Sequence, residues 1–136
     1  MPPDPHFMDQ KWNLEMWEHE EGKSRAEKEF SNLARTNPKG FAEILEKIRF
    51  LQDTSLETLI QTQYIKKIKN GKNLHEIRFL KAVNGRFIGV IIERPLSKPT
   101  FYALLFFDKK TNNLPPKILD TALDRLKEFN QTQNEL

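Results

Sequence analysis

The fold of this chain is decided by residues 74–107, LHEIRFLKAVNGRFIGVIIERPLSKPTFYALLFF. Three apolar runs in this stretch predict three successive antiparallel strands, separated by Asn84-Gly85 and by a link bounded by prolines. Asn84-Gly85 is typical of a two-residue type I′ turn, because both central residues need a positive φ that Asn and Gly tolerate. The third run, TFYALLFF, is apolar on both of its faces. We therefore expect a strand that is covered on both sides of the sheet.

The segments on either side of this sheet predict helices and one more strand. A capping-box spacing begins at Ser24, and Asn37-Pro38 ends one helix and begins the next. Both helices carry an apolar stripe and are expected to pair as an αα-hairpin. Residues 11–18 alternate like an opening strand, residues 53–64 are interpreted as a connection, and Pro115-Pro116 suits the start of a terminal helix. The sequence therefore predicts an α+β fold, with a small, mostly antiparallel four-stranded sheet, an N-terminal αα-hairpin on one face and a C-terminal helix.

Length and composition limit the kind of protein. The 136 residues are 38% apolar and 30% charged, which suits a single core. We expect one domain at residues 11–130, with residues 1–10 a flexible tail or a remnant of expression and residues 131–136 a second tail. No apolar run approaches the roughly 20 residues that span a bilayer. No secretory signal is visible either, so we expect a cytoplasmic protein without a membrane partner.

The residues that most often hold metals or react as nucleophiles are scarce. The chain has no cysteine and three widely spaced histidines, His6, His19 and His75. Disulfides, thiolate zinc sites and cysteine nucleophiles are therefore excluded. We expect neither a metal site nor a cofactor.

The net charge of +3 hides an uneven distribution. Residues 1–64 carry 8 Lys or Arg and 12 Asp or Glu, a net charge of −4, whereas residues 65–136 carry 14 and 7, a net charge of +7. Because the basic half is also the half that holds the sheet, a polyanion such as nucleic acid is its expected partner. The alternative is that these cations only solvate an exposed surface.

Four of these cations lie directly before the first strand of residues 74–107. They are Lys66, Lys67, Lys69 and Lys72, within the segment IKKIKNGKN. At this position they would create positive potential beside Arg78. Strand alternation puts Arg78 and Glu76 on one face, and Ile77 and Phe79 on the other.

These motifs together resemble the RelE/ParE toxin superfamily, and within it the HigB-like, phage-derived branch. The resemblance rests on IKKIKNG followed by LHEIR, on the Asn-Gly turn with Arg86-Phe87, and on LLFFDKKT with a proline four residues after Thr111. In the order of elements it covers roughly residues 11–129, and the specific motifs lie between Lys66 and Pro115. The resemblance implies a RelE-like fold for the domain.

The function that the resemblance implies is that of a toxin in a type II toxin–antitoxin system, a metal-independent mRNA endoribonuclease that acts on the ribosome. In the family's mechanism a ribose 2′-hydroxyl attacks the neighbouring phosphate, with basic side chains activating the hydroxyl and stabilising the anionic intermediate. Arginine offers a planar fork for two phosphate oxygens, and a lysine can serve as general base. Carried over by position, the catalytic residues would be Arg78, Lys66, Lys69 and Lys110, and the nucleic-acid-binding residues Lys67, Lys72, Arg86 and Lys109. The implied partners are mRNA on the ribosome and a cognate antitoxin that covers the basic cleft.

Two other functions stay open at this point. One is a non-catalytic toxin of the ParE kind that binds a protein such as gyrase, because the superfamily fold does not fix the function. The other is an inactive homologue that only binds RNA. Where family members often carry Tyr or His in the region of the terminal helix, this chain has Phe129, which can stack on a base but cannot transfer a proton.

Overall fold

Helices and strands follow one another in an order that confirms the predicted α+β class. The computed structural model describes residues 10–79, 84–108 and 114–134. In chain order the elements within these ranges are β1 (Asn13–Met16), α1 (Arg25–Thr36), α2 (Pro38–Gln52), α3 (Leu56–Gln61), β2 (Ile65–Lys67), β3 (His75–Phe79), β4 (Gly85–Ile92), β5 (Thr100–Asp108) and α4 (Pro116–Asn134).

The five strands form one mixed sheet in the order β1-β5-β4-β3-β2. β3, β4 and β5 are the three antiparallel strands predicted from residues 74–107. β2 pairs antiparallel with β3, and β1 lies parallel to β5 at the opposite edge. The sheet therefore has one strand more than the four predicted, and β1 makes it mixed. The sequence does not reveal β2, because three residues with one buried apolar side chain are too few to display a period of two.

The connection between β3 and β4 differs from the predicted two-residue turn. Phe79 pairs with Gly85, so Gly85 is already a strand residue and its φ is not left-handed. A Cβ at this position would lie 2.9 Å from Ile44 Cδ1 and 3.1 Å from the Phe106 ring. The prediction of a type I′ turn at Asn84-Gly85 is therefore wrong. The glycine lets α2 approach the sheet closely.

Both predicted helix caps at the N-terminal αα-hairpin are confirmed. Ser24 Oγ accepts a hydrogen bond from the Glu27 N–H at 3.2 Å, and Asn37 Oδ1 accepts one from the Gly40 N–H at 3.0 Å. Pro38 is the first residue of α2. A backbone N–H at this position would have no acceptor within the helix, so proline, which lacks this N–H, breaks no helical hydrogen bond. The two helices therefore begin where their local sequence predicts.

The αα-hairpin packs on one face of the sheet through aromatic rings. The Phe30 ring of α1 lies 5.1 Å from the Phe87 ring and 5.0 Å from the Phe106 ring, both edge to face. Trp12, just before β1, is fully buried on the same face, and its Nε1–H donates to the Leu51 carbonyl at 3.2 Å. These contacts join both helices of the hairpin and β1 to one core.

Residues 53–64, interpreted from the sequence as a connection, contain a short helix. Ser55 Oγ accepts from the Thr58 N–H at 3.2 Å and caps α3. Leu56 and Leu59 are buried. The sequence of this segment fits both a helix and a strand. The two leucines are three residues apart, a spacing that puts them on one face of a helix, so their burial favours the helix.

α4 covers the other face of the sheet. It begins at Pro116, as predicted, and continues to Asn134, so it enters residues 131–136, which were expected to be a tail. Its core includes Ile88, Val90, Leu104, Leu105, Phe107, Ala122, Leu126 and Phe129. No helix of the described ranges has the length and apolar character that crossing a bilayer requires.

The edge of β5 beyond β1 is closed by an ion pair between the two helical layers. β1 pairs with β5 only as far as Ala103. Past that point the Phe106 N–H donates to Glu29 of α1 at 3.1 Å, and Arg125 of α4 donates to the Leu104 carbonyl at 2.8 Å. Arg125 also binds the Glu29 carboxylate with two hydrogen bonds of 2.8 and 2.9 Å. We call this pair the Glu29–Arg125 clasp; it satisfies polar groups that β1 leaves uncovered.

Candidate nucleic-acid interface

Two arginines face each other across adjacent strands. Arg78 of β3 and Arg86 of β4 are register partners, and Arg86 lies opposite Phe107 of β5. Directly opposite residues share one face of the sheet, so these side chains form a row, which we call the arginine row. The Arg86 guanidinium lies 5.5 Å from the centroid of the Phe107 ring, a cation–π distance. Since Phe107 belongs to the core of α4, the arginine row lies on the α4 face.

A buried carboxylate holds the two arginines. Glu76 Oε1 lies 3.4 Å from Arg78 Nε, and Glu76 Oε2 lies 3.7 Å from Arg86 Nη1, while the Glu76 side chain is 12% exposed. A carboxylate at this depth is costly unless cations pair with it. Alternation correctly predicts that Glu76 shares a face with Arg78. Its role was not predicted, because only the pairing of β3 with β4 brings the second arginine to it.

The two arginines differ in their access to solvent. The Arg86 side chain is 3% exposed and the Arg78 side chain is 22% exposed. Burial lowers the pKa of Arg86, the charge of Arg78 lowers it further, and Glu76 opposes both effects. Arginine nevertheless stays protonated at physiological pH. Arg78 is therefore the member of the arginine row that a ligand can reach, whereas Arg86 is enclosed beside Glu76.

The two lysines of β2 lie on opposite faces of the sheet. Lys66 is the register partner of Glu76 and so shares the face of Arg78. Lys67 is the register partner of His75 and lies on the face of α1 and α2. Both lysine side chains are exposed. The sheet thus brings Lys66, but not Lys67, to the face of the arginine row.

His75 is half-buried beside Lys67 at the start of β3. Its Nδ1 lies 3.1 Å from the Asn73 carbonyl oxygen. Burial lowers the pKa of His75, the hydrogen bond to Asn73 raises it, and the charge of Lys67 lowers it. The imidazole therefore favours its neutral form on the face away from the arginine row.

Lys69 and Lys72 lie in the turn between β2 and β3. The Gly71 N–H donates to the Ile68 carbonyl at 3.0 Å, and the Leu74 N–H donates to the Gly71 carbonyl at 2.9 Å. Lys72 has a φ of 54°, in the left-handed region. The turn precedes His75, and Arg78 lies three residues further along β3, about 10 Å at the rise of a strand. Lys69 and Lys72 therefore extend the basic surface along the strand and lie apart from the arginine row.

Two of the predicted site residues, Lys109 and Lys110, lie outside the described residues. Phe129, which stands where family members often carry Tyr or His, lies within the described residues. Phe129 is 1% exposed, and its ring centroid lies 5.5 Å from that of Trp17 and 5.4 Å from that of Tyr102. The expectation that Phe129 could stack on a base is therefore wrong, because the ring is enclosed in the α4 core.

The arrangement suits an anion. Throughout residues 10–79, 84–108 and 114–134, no group of three His, Asp or Glu side chains is placed to hold a metal ion. Arg78 presents a guanidinium whose position is fixed by Glu76, and Lys66 adds a flexible charge one strand away. A planar fork beside a point charge is an arrangement that binds phosphate.

No family model matches this chain, and no curated protein matches it. The resemblance to the RelE/ParE superfamily therefore stays a prediction from the motifs.

Proposed function

We propose that this protein is a RelE-like, HigB-like toxin that binds mRNA on the ribosome in the cytoplasm and cleaves it without a metal ion. Arg78 grips the phosphate that is attacked, the lysines of the β2–β3 turn hold the neighbouring backbone, and Glu76 with Arg86 fixes the orientation of Arg78. The single observation that carries the proposal is the buried Glu76 carboxylate between two arginines, one of which reaches solvent.

The chemistry requires little more than charge and position. The ribose 2′-oxygen forms a bond to phosphorus while the bond from phosphorus to the 5′-oxygen of the next nucleotide breaks. Negative charge accumulates on the phosphate oxygens between these two events, and preorganised cations stabilise it. Arg78 supplies two parallel N–H donors for this charge. Lys66 is the lysine of β2 on the same face, which makes it our candidate for the general base that takes the proton from the 2′-hydroxyl, while solvent water protonates the departing 5′-oxygen.

A partner protein is part of this proposal. A toxin of this kind is held inactive by its cognate antitoxin, and the basic surface around Arg78 and Lys66 requires acidic or apolar groups to cover it. Residues 65–136, with a net charge of +7, supply the attraction. The antitoxin is therefore expected to compete with RNA, and its affinity is expected to fall as salt concentration rises.

The experiment is primer extension on mRNA incubated with translating ribosomes and this protein. The wild-type protein is expected to cut within codons only when ribosomes are present, and Arg78→Ala is expected to abolish the cuts. Arg94→Ala is the matched control, because Arg94 is an exposed arginine bonded to the Tyr102 hydroxyl at 3.2 Å, near the other end of β4. A far-ultraviolet spectrum and a urea titration establish that each variant is folded.

Cuts that persist in Arg78→Ala would refute the assignment of the site. No cuts from folded wild-type protein would refute the endonuclease, and a supercoiling assay then tests inhibition of gyrase.

The alternative function is RNA binding without cleavage. The observation that favours it is the burial of Phe129, which leaves the terminal helix without an accessible ring at the position where the family often has Tyr or His. In that case a gel-shift assay would give Arg78-dependent binding to RNA, while primer extension would give no cuts.

A further inference from the structure

Two aromatic side chains lie exposed around one lysine near the edge of the sheet. Phe50, near the end of α2, is 64% exposed, and Tyr64, just before β2, is 47% exposed. The Lys47 Nζ lies 5.0 Å from the centroid of the Phe50 ring and 5.5 Å from that of the Tyr64 ring. We call Phe50 and Tyr64 the ring pair.

Scattered exposed apolar side chains need no explanation, but the ring pair is not scattered. Two segments of the chain, α2 and the residues before β2, bring their rings to the same cation. The ammonium group occupies one side of each ring, and the exposed fractions leave the remaining ring surface open to solvent. The ring pair therefore offers two flat aromatic surfaces beside a fixed positive charge.

The ring pair lies beside the edge strand β2, and α2, which carries Phe50, covers the face of the sheet opposite to the arginine row. Ile65 pairs with Ile77, so Tyr64 comes one residue before the paired position of β2 and Arg78 one residue after the paired position of β3. β2 is an edge strand, and the Tyr64 ring just before it lies 5.5 Å from the Nζ of Lys47, a residue of α2. Lys67 is exposed on the same face of the sheet as α2. A chain bound at Arg78 thus reaches the ring pair by passing round the β2 edge.

We propose that the ring pair is a stacking platform for bases of a single-stranded RNA, one of whose phosphates is held at Arg78. This inference rests on the proposed function, because that function supplies the RNA. Bases stack on aromatic side chains without regard to sequence, and the phosphates between them need cations such as Lys47 and Lys67. The platform holds nucleotides next to the bound phosphate, so it contributes to RNA affinity and takes no part in bond breaking.

The test is fluorescence anisotropy with a short fluorescein-labelled oligo(A) RNA. Phe50→Leu and Tyr64→Leu keep apolar area but remove the ring, and each is expected to weaken binding by about tenfold. Tyr64→Phe keeps the ring and is expected to bind like wild type. Leu45→Ala is the matched control, because Leu45 is a 44% exposed aliphatic residue on the same helix. All four substitutions are at exposed side chains, and unfolding curves are expected to overlay with that of wild type.

The outcomes separate this inference from the function on which it rests. If the leucine variants bind oligo(A) as tightly as wild type does, the platform is refuted, and the ring pair becomes a surface for a protein partner. If wild-type protein cleaves mRNA through Arg78 while the leucine variants need no more RNA for half-maximal cleavage, only the platform fails. If wild-type protein does not cleave but binds oligo(A) through the ring pair, the endonuclease fails and the platform stands.

Discussion

Removal of the charge of Glu76 tests the arginine row most directly. In Glu76→Gln the side chain keeps its shape, but two guanidinium groups on adjacent strands lose the carboxylate between them. At an effective dielectric constant of about 20, each contact contributes about 4 kcal/mol of attraction. The neutral amide costs less to bury than the carboxylate, and this difference of several kcal/mol offsets part of the lost attraction. We therefore expect a net loss of about 3 kcal/mol in the free energy of unfolding, close to the value for breaking other buried pairs.

The assay for this prediction is urea unfolding followed by the fluorescence of the two tryptophans, Trp12 and Trp17. Glu93→Gln is the control, since Glu93 is exposed and its substitution is expected to change stability by less than about 0.5 kcal/mol. Adding Arg86→Met to Glu76→Gln removes the like charge that faces Arg78, so the double variant is expected to recover part of the loss. A loss below about 1 kcal/mol in Glu76→Gln would refute the reasoning, because the carboxylate would then not hold the arginine row.

Three further predictions concern other parts of the fold. Gly85→Ala is expected to lower the free energy of unfolding by about 1–3 kcal/mol, because the new Cβ would lie 3.1 Å from the buried Phe106 ring as well as 2.9 Å from Ile44 Cδ1; an unchanged urea midpoint would contradict this. Glu29→Ala leaves the Phe106 N–H without its acceptor and is expected to cost about 3 kcal/mol, whereas Glu29→Gln restores an acceptor and is expected to cost less; equal losses would contradict the assigned hydrogen bond. Because the folded state lowers the pKa of His75, the unfolded state takes up the proton first as pH falls below 6.5, and stability is expected to decline from there; His75→Gln is expected to flatten the curve in pH-dependent urea titrations.

The sequence predicts those features whose causes lie within a few residues. The cap at Ser24 uses the N–H three residues later, and Pro116 suits the first helical turn through its own ring. The alternation that assigns Glu76 to the face of Arg78 likewise needs only the strand itself. These predictions are confirmed because nothing elsewhere in the chain competes with them.

Features that depend on distant segments were not predicted. β2 is a strand because it pairs with β3, and its own three residues hold too little pattern to indicate it. Next to Asn84, Gly85 suggests a turn. In the structure this position instead leaves room for Ile44, which belongs to a helix far away in the sequence. The same holds for the candidate site. Its basic residues are visible in the sequence, but the contact of the Glu76 carboxylate with both arginines can be predicted only when the register of β3 and β4 is known.

The Glu29–Arg125 clasp has a consequence for the newly made chain. Residues 104–107, LLFF, are complete before α4 has been synthesised, and until Arg125 arrives their outer backbone groups lack one of the two side chains that cover them. An apolar strand with an open edge pairs readily with other chains. During synthesis, therefore, this apolar segment stays partly uncovered until α4, the next described element after β5, has been made. A ribosome that stalls before α4 would release an aggregation-prone product.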